Sequence, residues 1–91
     1  MKLDENVQAV NSVSKLKWAC RRGMLELDVL LGNFLKEAYP ALLVEDQNQF
    51  AALLSCSDPE LFTWLMGKDC PKDQGLAKIT IMIREHARSR V

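Results

Sequence analysis

The residues able to carry chemistry in this chain are few and scattered. Histidine occurs once, at His86, in a basic stretch with Arg84 and Arg88. A general base needs a positioned partner and a concave site. The neighbouring sequence supplies neither, so a solvent-facing or groove-edge histidine is expected. The three cysteines, Cys20, Cys56 and Cys70, contain no close pair. With His86 they do not make a metal-ligand spacing, and an odd count does not make a disulfide framework. Lys17 and Arg21 would favour a Cys20 thiolate, but packing as a small apolar side chain beside Gly23 is the simpler expectation. There is no glycine-rich phosphate loop, Walker lysine or G-x-S-x-G. The chain is therefore not expected to be an enzyme or to hold a metal.

One run stands apart: Trp18-Ala19-Cys20-Arg21-Arg22-Gly23-Met24-Leu25-Glu26-Leu27-Asp28. Two arginines meet a glycine, with two acids about one turn on. Arg22 and Glu26 are spaced to pair across a corner. Glycine there leaves the backbone bare, so another chain can approach closely. Trp18 is the kind of side chain that anchors an interface. The same residues also suit a plain helix–helix corner, with Gly23 serving the turn and the charges flanking it. The residues alone leave both readings open.

Composition bounds what can position such a corner. A chain of 91 residues, 48% hydrophobic and 26% charged, makes one globular domain. Its twelve basic and twelve acidic residues cancel. No whole-molecule field draws it to nucleic acid or anionic membrane. Charge is segregated all the same: Ser14 to Met24 carries +4, Leu25 to Glu60 carries −6 and Leu61 to Val91 carries +3. The longest uncharged stretch, Gln47 to Ser57, has 11 residues. That is short of the roughly 18 apolar residues a spanning helix needs. Met1 to Asn6 shows neither the apolar region of a secretory signal nor the arginines of a transit peptide. With the cysteine count, this predicts a cytoplasmic protein.

Periodicity places the elements. Residues 1–11 read as a loose leader, and 12–91 as the helical domain. A first helix is expected from Ser12 or Ser14, carrying Val13, Leu16 and Ala19/Cys20 and ending at Arg21-Arg22-Gly23. The second runs from Met24 to Ala38, with Leu27, Leu30, Leu31, Phe34, Leu35 and Ala38 on one face. Tyr39-Pro40 ends it. A third spans Val44 to Leu54, with Phe50, Leu53 and Leu54 inward. Ser57-Asp58-Pro59-Glu60 starts a fourth, which stops at Gly67. Cys70 to Gly75 reads as a loop. Ile79-Thr80-Ile81-Met82-Ile83 alternates like a strand, but no other segment offers a strand partner, so it is assigned to a fifth helix. The expected fold is all-α, a compact bundle of five short helices.

At the corner the sequence resembles a known family. Arg22-Gly23-Met24-Leu25-Glu26 is similar to the R-G-x-x-E signature of the SdhE (YgfY-like) family, assembly factors for flavinylated dehydrogenases. Asp58-Pro59-Glu60-Leu61-Phe62-Thr63-Trp64-Leu65 resembles that family's D-P-x-L-F-x-W-L segment. Phe50 and Leu53-Leu54 sit at its F-x-x-L-L. The resemblance covers roughly residues 12 to 88.

The resemblance implies a five-helix bundle that binds the flavoprotein subunit of succinate dehydrogenase, and in some bacteria that of fumarate reductase. It implies that the protein promotes covalent attachment of FAD to that subunit. The implied partner-binding face is Arg22, Gly23 and Glu26, flanked by Lys15, Trp18, Arg21 and Asp28. Lys15 stands where an arginine is common and lacks bidentate geometry. The Asp58-Pro59 stretch is read as structural. No dinucleotide fingerprint is present, so FAD is expected to stay with the partner and not to bind tightly here. A free monomer is expected. The alternative reading is an antitoxin-like protein-binding module of a toxin–antitoxin pair. A third is nucleic-acid binding through the basic tail of Arg84, Arg88 and Arg90.

Overall fold

The computed structural model describes residues 13–90. The expected leader, residues 1–11, and the candidate cap Ser12 lie outside the described residues. Within them the chain forms five α-helices and one 3-10 turn: α1 Val13–Ala19, α2 Leu25–Glu37, the turn Tyr39–Ala41, α3 Val44–Leu53, α4 Asp58–Leu65 and α5 Gln74–Ser89. The expected all-α bundle of five short helices is thus observed.

Several boundaries have a local cause, while α2 and α3 start after Met24 and Leu43 without a side-chain cap. Ser14 lies inside α1 and does not cap it. α1 also stops earlier than expected, at Ala19, because the next residues are drawn into the corner described below. Tyr39-Pro40 follows the end of α2, as expected, and also opens the 3-10 turn Tyr39–Ala41, with Pro40 in its first turn. Ser57 caps α4 by a capping box with Glu60, whose Oε1 accepts from the Ser57 N–H at 3.1 Å. Gly67, with φ +80°, follows the end of α4.

Asp73 caps α5, its Oδ2 accepting from the Leu76 N–H at 2.9 Å. Gln74 and Gly75 are therefore the first turn of that helix and not loop. The β-branched run lies in mid-helix. Ile79 and Ile83 are buried, and Thr80 is buried with its hydroxyl donating to the Leu76 carbonyl at 2.7 Å. Tertiary burial overrides local β propensity here.

α5 packs against α2, α3 and α4, and α2 packs against α1 and α4. The core joins Leu16, Leu27, Leu31, Phe34, Phe50, Leu53, Leu61, Leu65, Ile79 and Ile83. Phe34 and Phe50 meet with ring centroids 5.4 Å apart. The predicted α2 stripe is buried at Leu27, Leu31, Phe34 and Leu35, while Leu30 and Ala38 are half-buried at its edge. Val13, expected on the inward face of α1, is 51% exposed. Asp46 is buried on α3 and paired with Lys78 Nζ of α5 at 3.3 Å. Among the described residues no helix is long and apolar enough to cross a membrane.

Candidate functional site

The site is the corner between α1 and α2. α1 ends with its last turn closed by the Cys20 N–H donating to the Leu16 carbonyl at 2.9 Å. Cys20 itself is 3% exposed and belongs to the core. Burial pushes its thiol up to about 11, against the lowering field of Arg22. The thiol is therefore protonated at neutral pH, and packing is its role.

Arg22 governs the corner. Its Nε donates to Asp58 Oδ1 at 2.7 Å. Nη1 donates to the carbonyls of Ala19 and Leu54, both at 2.8 Å, and Nη2 donates to the Cys56 carbonyl at 2.7 Å. Its backbone N–H donates to Asp28 Oδ1 at 2.7 Å. The guanidinium thereby satisfies carbonyls at the C-terminal ends of α1 and α3 and an acid in the first turn of α4. The pairing of Arg22 with Glu26 suggested by their spacing is not made. Arg22 turns inward to Asp58, and Glu26 stays exposed, without an ion pair among the described residues. The Asp58-Pro59 stretch has the structural role expected of it.

Gly23 follows at φ +85°, with nothing within 4 Å of where a Cβ would stand. The left-handed backbone, not crowding, makes glycine fit there. On the other side of Arg22, Arg21 lies with its guanidinium carbon 5.4 Å from the centroid of the Trp18 ring. Trp18 is 72% exposed. A large exposed indole with a cation over its ring is an uncovered apolar surface at this corner, as is the exposed Leu25.

Beside the corner runs an open groove of about 910 Å³. Lys17, Trp18 and Arg21 line it from α1 and the corner, Asp28, Gly32 and Lys36 from α2, and Cys20 and Leu35 are its buried lining residues. Of the residues implied by the resemblance, Trp18, Arg21 and Asp28 therefore converge on the groove. Gly23 and Glu26 are exposed at the corner next to it, and Lys15 is exposed on α1 outside the groove lining. Arg22 lies underneath. Lys17, Gly32 and Lys36 were missed in the sequence reading. Gly32 alone carried a signal, as a glycine inside a strong helical pattern.

His86 has the partner that its sequence neighbours did not reveal. Its Nε2 lies 3.1 Å from Glu37 Oε1, and its ring sits edge-on to Phe34 at 5.5 Å. It borders a small recess of about 160 Å³ with Val29, Leu30 and Arg90, so it is a groove-edge histidine. Arg90 holds the same carboxylate in a fork, with Nε to Oε1 at 2.8 Å and Nη2 to Oε2 at 3.0 Å. The Arg90 hydrogen bonds hold the Glu37 carboxyl below its ordinary range. Among the described residues no group of His, Cys, Asp or Glu is placed to hold a metal ion.

Fold and corner together define a small all-α bundle that displays an anchored tryptophan, a bare glycine turn and a basic-rimmed groove. A family model described as flavinator of succinate dehydrogenase (Sdh5) matches residues 14–87. The FAD assembly factor SdhE of Vibrio parahaemolyticus is 46% identical over 78 residues, covering 86% of this chain and 91% of that protein. The FAD assembly factor SdhE of Shewanella oneidensis is 46% identical over 76 residues, covering 84% and 93%. A solution structure titled UPF0350 protein superposes with a TM-score of 0.72 at 45% identity, covering 86% of this chain and 83% of the other. The chain belongs to the SdhE/Sdh5 family, as its two motifs indicated.

Proposed function

We propose that this protein is an FAD assembly factor that docks on the flavoprotein subunit of succinate dehydrogenase and promotes covalent attachment of FAD. Fumarate reductase's flavoprotein is the second client. The observation that carries the reading is family membership across nearly the whole described bundle. The corner geometry supports it. Trp18, Arg21, Gly23 and Glu26 are exposed together at the α1–α2 junction and serve as the contacting residues, with Lys15 alongside. Arg22 and Asp28 act from beneath, by fixing the backbone of that junction.

The factor works by binding and not by turnover. Covalent attachment needs the receiving side chain and the flavin held at reacting distance within the flavoprotein. A docked helper shifts the flavoprotein's population toward that arrangement, by as much as its preference for it. FAD is the partner's cargo throughout. Trp18 and the bare Gly23 backbone give close contact, and Glu26 and Arg21 give charge register. The protein acts in the cytoplasm as a monomer.

The test is a strain lacking this gene. Its succinate dehydrogenase flavoprotein is run on a denaturing gel and read by in-gel flavin fluorescence. Wild type should restore the fluorescent band, Gly23→Glu should not, and Glu26→Ala should restore it partly. Full fluorescence in the deletion strain would sink the assembly reading. Normal rescue by both variants would sink this choice of face.

A further inference from the structure

Gly32 sits in the middle of α2, where glycine is about 1 kcal/mol worse than alanine. The fold gives nothing back for it. Its φ is not positive, and a Cβ built there meets nothing within 4 Å. Neither backbone strain nor close helix packing calls for a glycine at this position. What the missing side chain does is leave open the part of the groove that Gly32 lines, in the same groove as Trp18.

The rest of the groove states what would enter. Its buried lining is apolar, with Cys20 and Leu35 at 3% and 4% exposure. Its lining includes the exposed indole of Trp18. Its rim is basic, with Lys17, Arg21 and Lys36 against the single acid Asp28. Asp28 already accepts from the Arg22 backbone N–H, so one of its oxygens is engaged within the corner, and the three cations outnumber it. Trp18 and Arg21 belong both to the groove and to the docking corner, so the two surfaces are continuous.

We infer that this groove receives an acidic segment of the flavoprotein partner, which lays one large apolar side chain over Gly32 while its carboxylates meet Lys17, Arg21 and Lys36. The inference rests on the docking function proposed above and adds the chemistry of the recognised segment. Apolar insertion supplies residence time, and the basic rim supplies encounter rate and salt sensitivity.

The experiment titrates the purified FAD-free flavoprotein subunit into this protein by calorimetry. The variants are wild type, Gly32→Ala, Gly32→Met, Lys17→Gln combined with Lys36→Gln, and Glu26→Ala. Thermal unfolding and sedimentation are measured on each. Gly32→Ala and Gly32→Met should raise the melting temperature, because both residues are better helix formers. Gly32→Met should nevertheless weaken binding about tenfold or more, as loss of a seated apolar side chain implies. Opposite signs in stability and affinity are the signature that a merely structural role does not produce. Titrated at low and at high salt, the lysine variant should bind more weakly than wild type at low salt and show a flatter dependence of Kd on salt.

If wild type binds and Glu26→Ala weakens it, but Gly32→Met binds like wild type, the groove inference is overturned and the docking corner stands. If wild type does not bind the flavoprotein, the proposed function falls and the groove's assignment falls with it. If wild type sediments as a dimer and Gly32→Met as a monomer, the occupant is a second copy of this chain and the inference is overturned.

Discussion

Arg22 and Asp58 stand 36 residues apart in sequence, and their side chains are joined by an Nε–Oδ1 hydrogen bond of 2.7 Å. Each belongs to one of the two motifs that carry the family resemblance. The motifs are therefore two halves of one structural device. The glycine corner is held in place by the start of α4, and the start of α4 is held by the corner.

The clamp should be measurable as coupling. Arg22→Ala leaves the carbonyls of Ala19, Leu54 and Cys56 without their charged donor. A loss of roughly 2–4 kcal/mol is expected, a large part of a small domain's stability. Asp58 is 40% exposed as a side chain, so solvent screens its share. Asp58→Ala should cost only about 1 kcal/mol by itself. In a double-mutant cycle by urea unfolding, the Asp58 effect should largely vanish in the Arg22→Ala background. Additive losses would show that the two side chains do not act as a unit.

Gly23 should accept bulk freely and the backbone strain at a modest cost. With open space around its Cβ position, a side chain there is strained only by φ +85°. That strain is about 1–2 kcal/mol for most residues and less for asparagine. Gly23→Glu should therefore remain folded by circular dichroism while losing the partner. Gly23→Asn should melt closer to wild type. An unfolded Gly23→Glu would reduce the proposed docking defect to a stability defect.

These two positions show what the sequence can and cannot reveal. The helices were legible because apolar spacing, Pro59 and the glycines act locally. The corner was legible as a place, since a glycine just after a helical pattern marks a helix end and a turn. The pairing was not. Spacing favoured Arg22 with Glu26, and only tertiary structure brings Asp58 closer. The capping role of Asp73 was also hidden, because Gln74 and Gly75 are poor helix starters until Asp73 satisfies the Leu76 N–H. Lys36 entered the groove unseen, being 18 residues from Trp18 in sequence but on the same groove in space.

Acid should loosen the α2–α5 contact in a defined direction. Hydrogen bonds from Arg90 hold the folded Glu37 carboxyl below its unfolded range. A depressed acid contributes stability above its unfolded pKa, about 4.3, and loses it as pH falls through the folded value. Stability followed by urea unfolding from about pH 6 down to about pH 2 should fall over that window. The slope should be shallower in Arg90→Ala. Equal slopes in the two proteins would show that the fork does not form in solution.

The thiols should separate by reactivity. Cys70 is exposed, Cys56 intermediate and Cys20 buried, and burial raises both Cys20 and Cys56. Under native conditions an alkylating reagent at neutral pH should modify Cys70 first, and Cys20 only as fast as the bundle opens. Rapid modification of Cys20 would mean that α1 detaches from the core on its own.

The position of α5 in the chain has a consequence for the moment of birth. It is the last of the described helices, yet Ile79 and Ile83 are fully buried in it and it packs against α2, α3 and α4. A nascent chain that has exposed only α1 to α4 has a core with one side missing. The bundle therefore cannot close while α5 is still in the ribosomal tunnel. Its completion awaits translation of the whole helix, and a chain stalled before Ile79 should be a substrate for chaperones and proteases rather than a partial assembly factor.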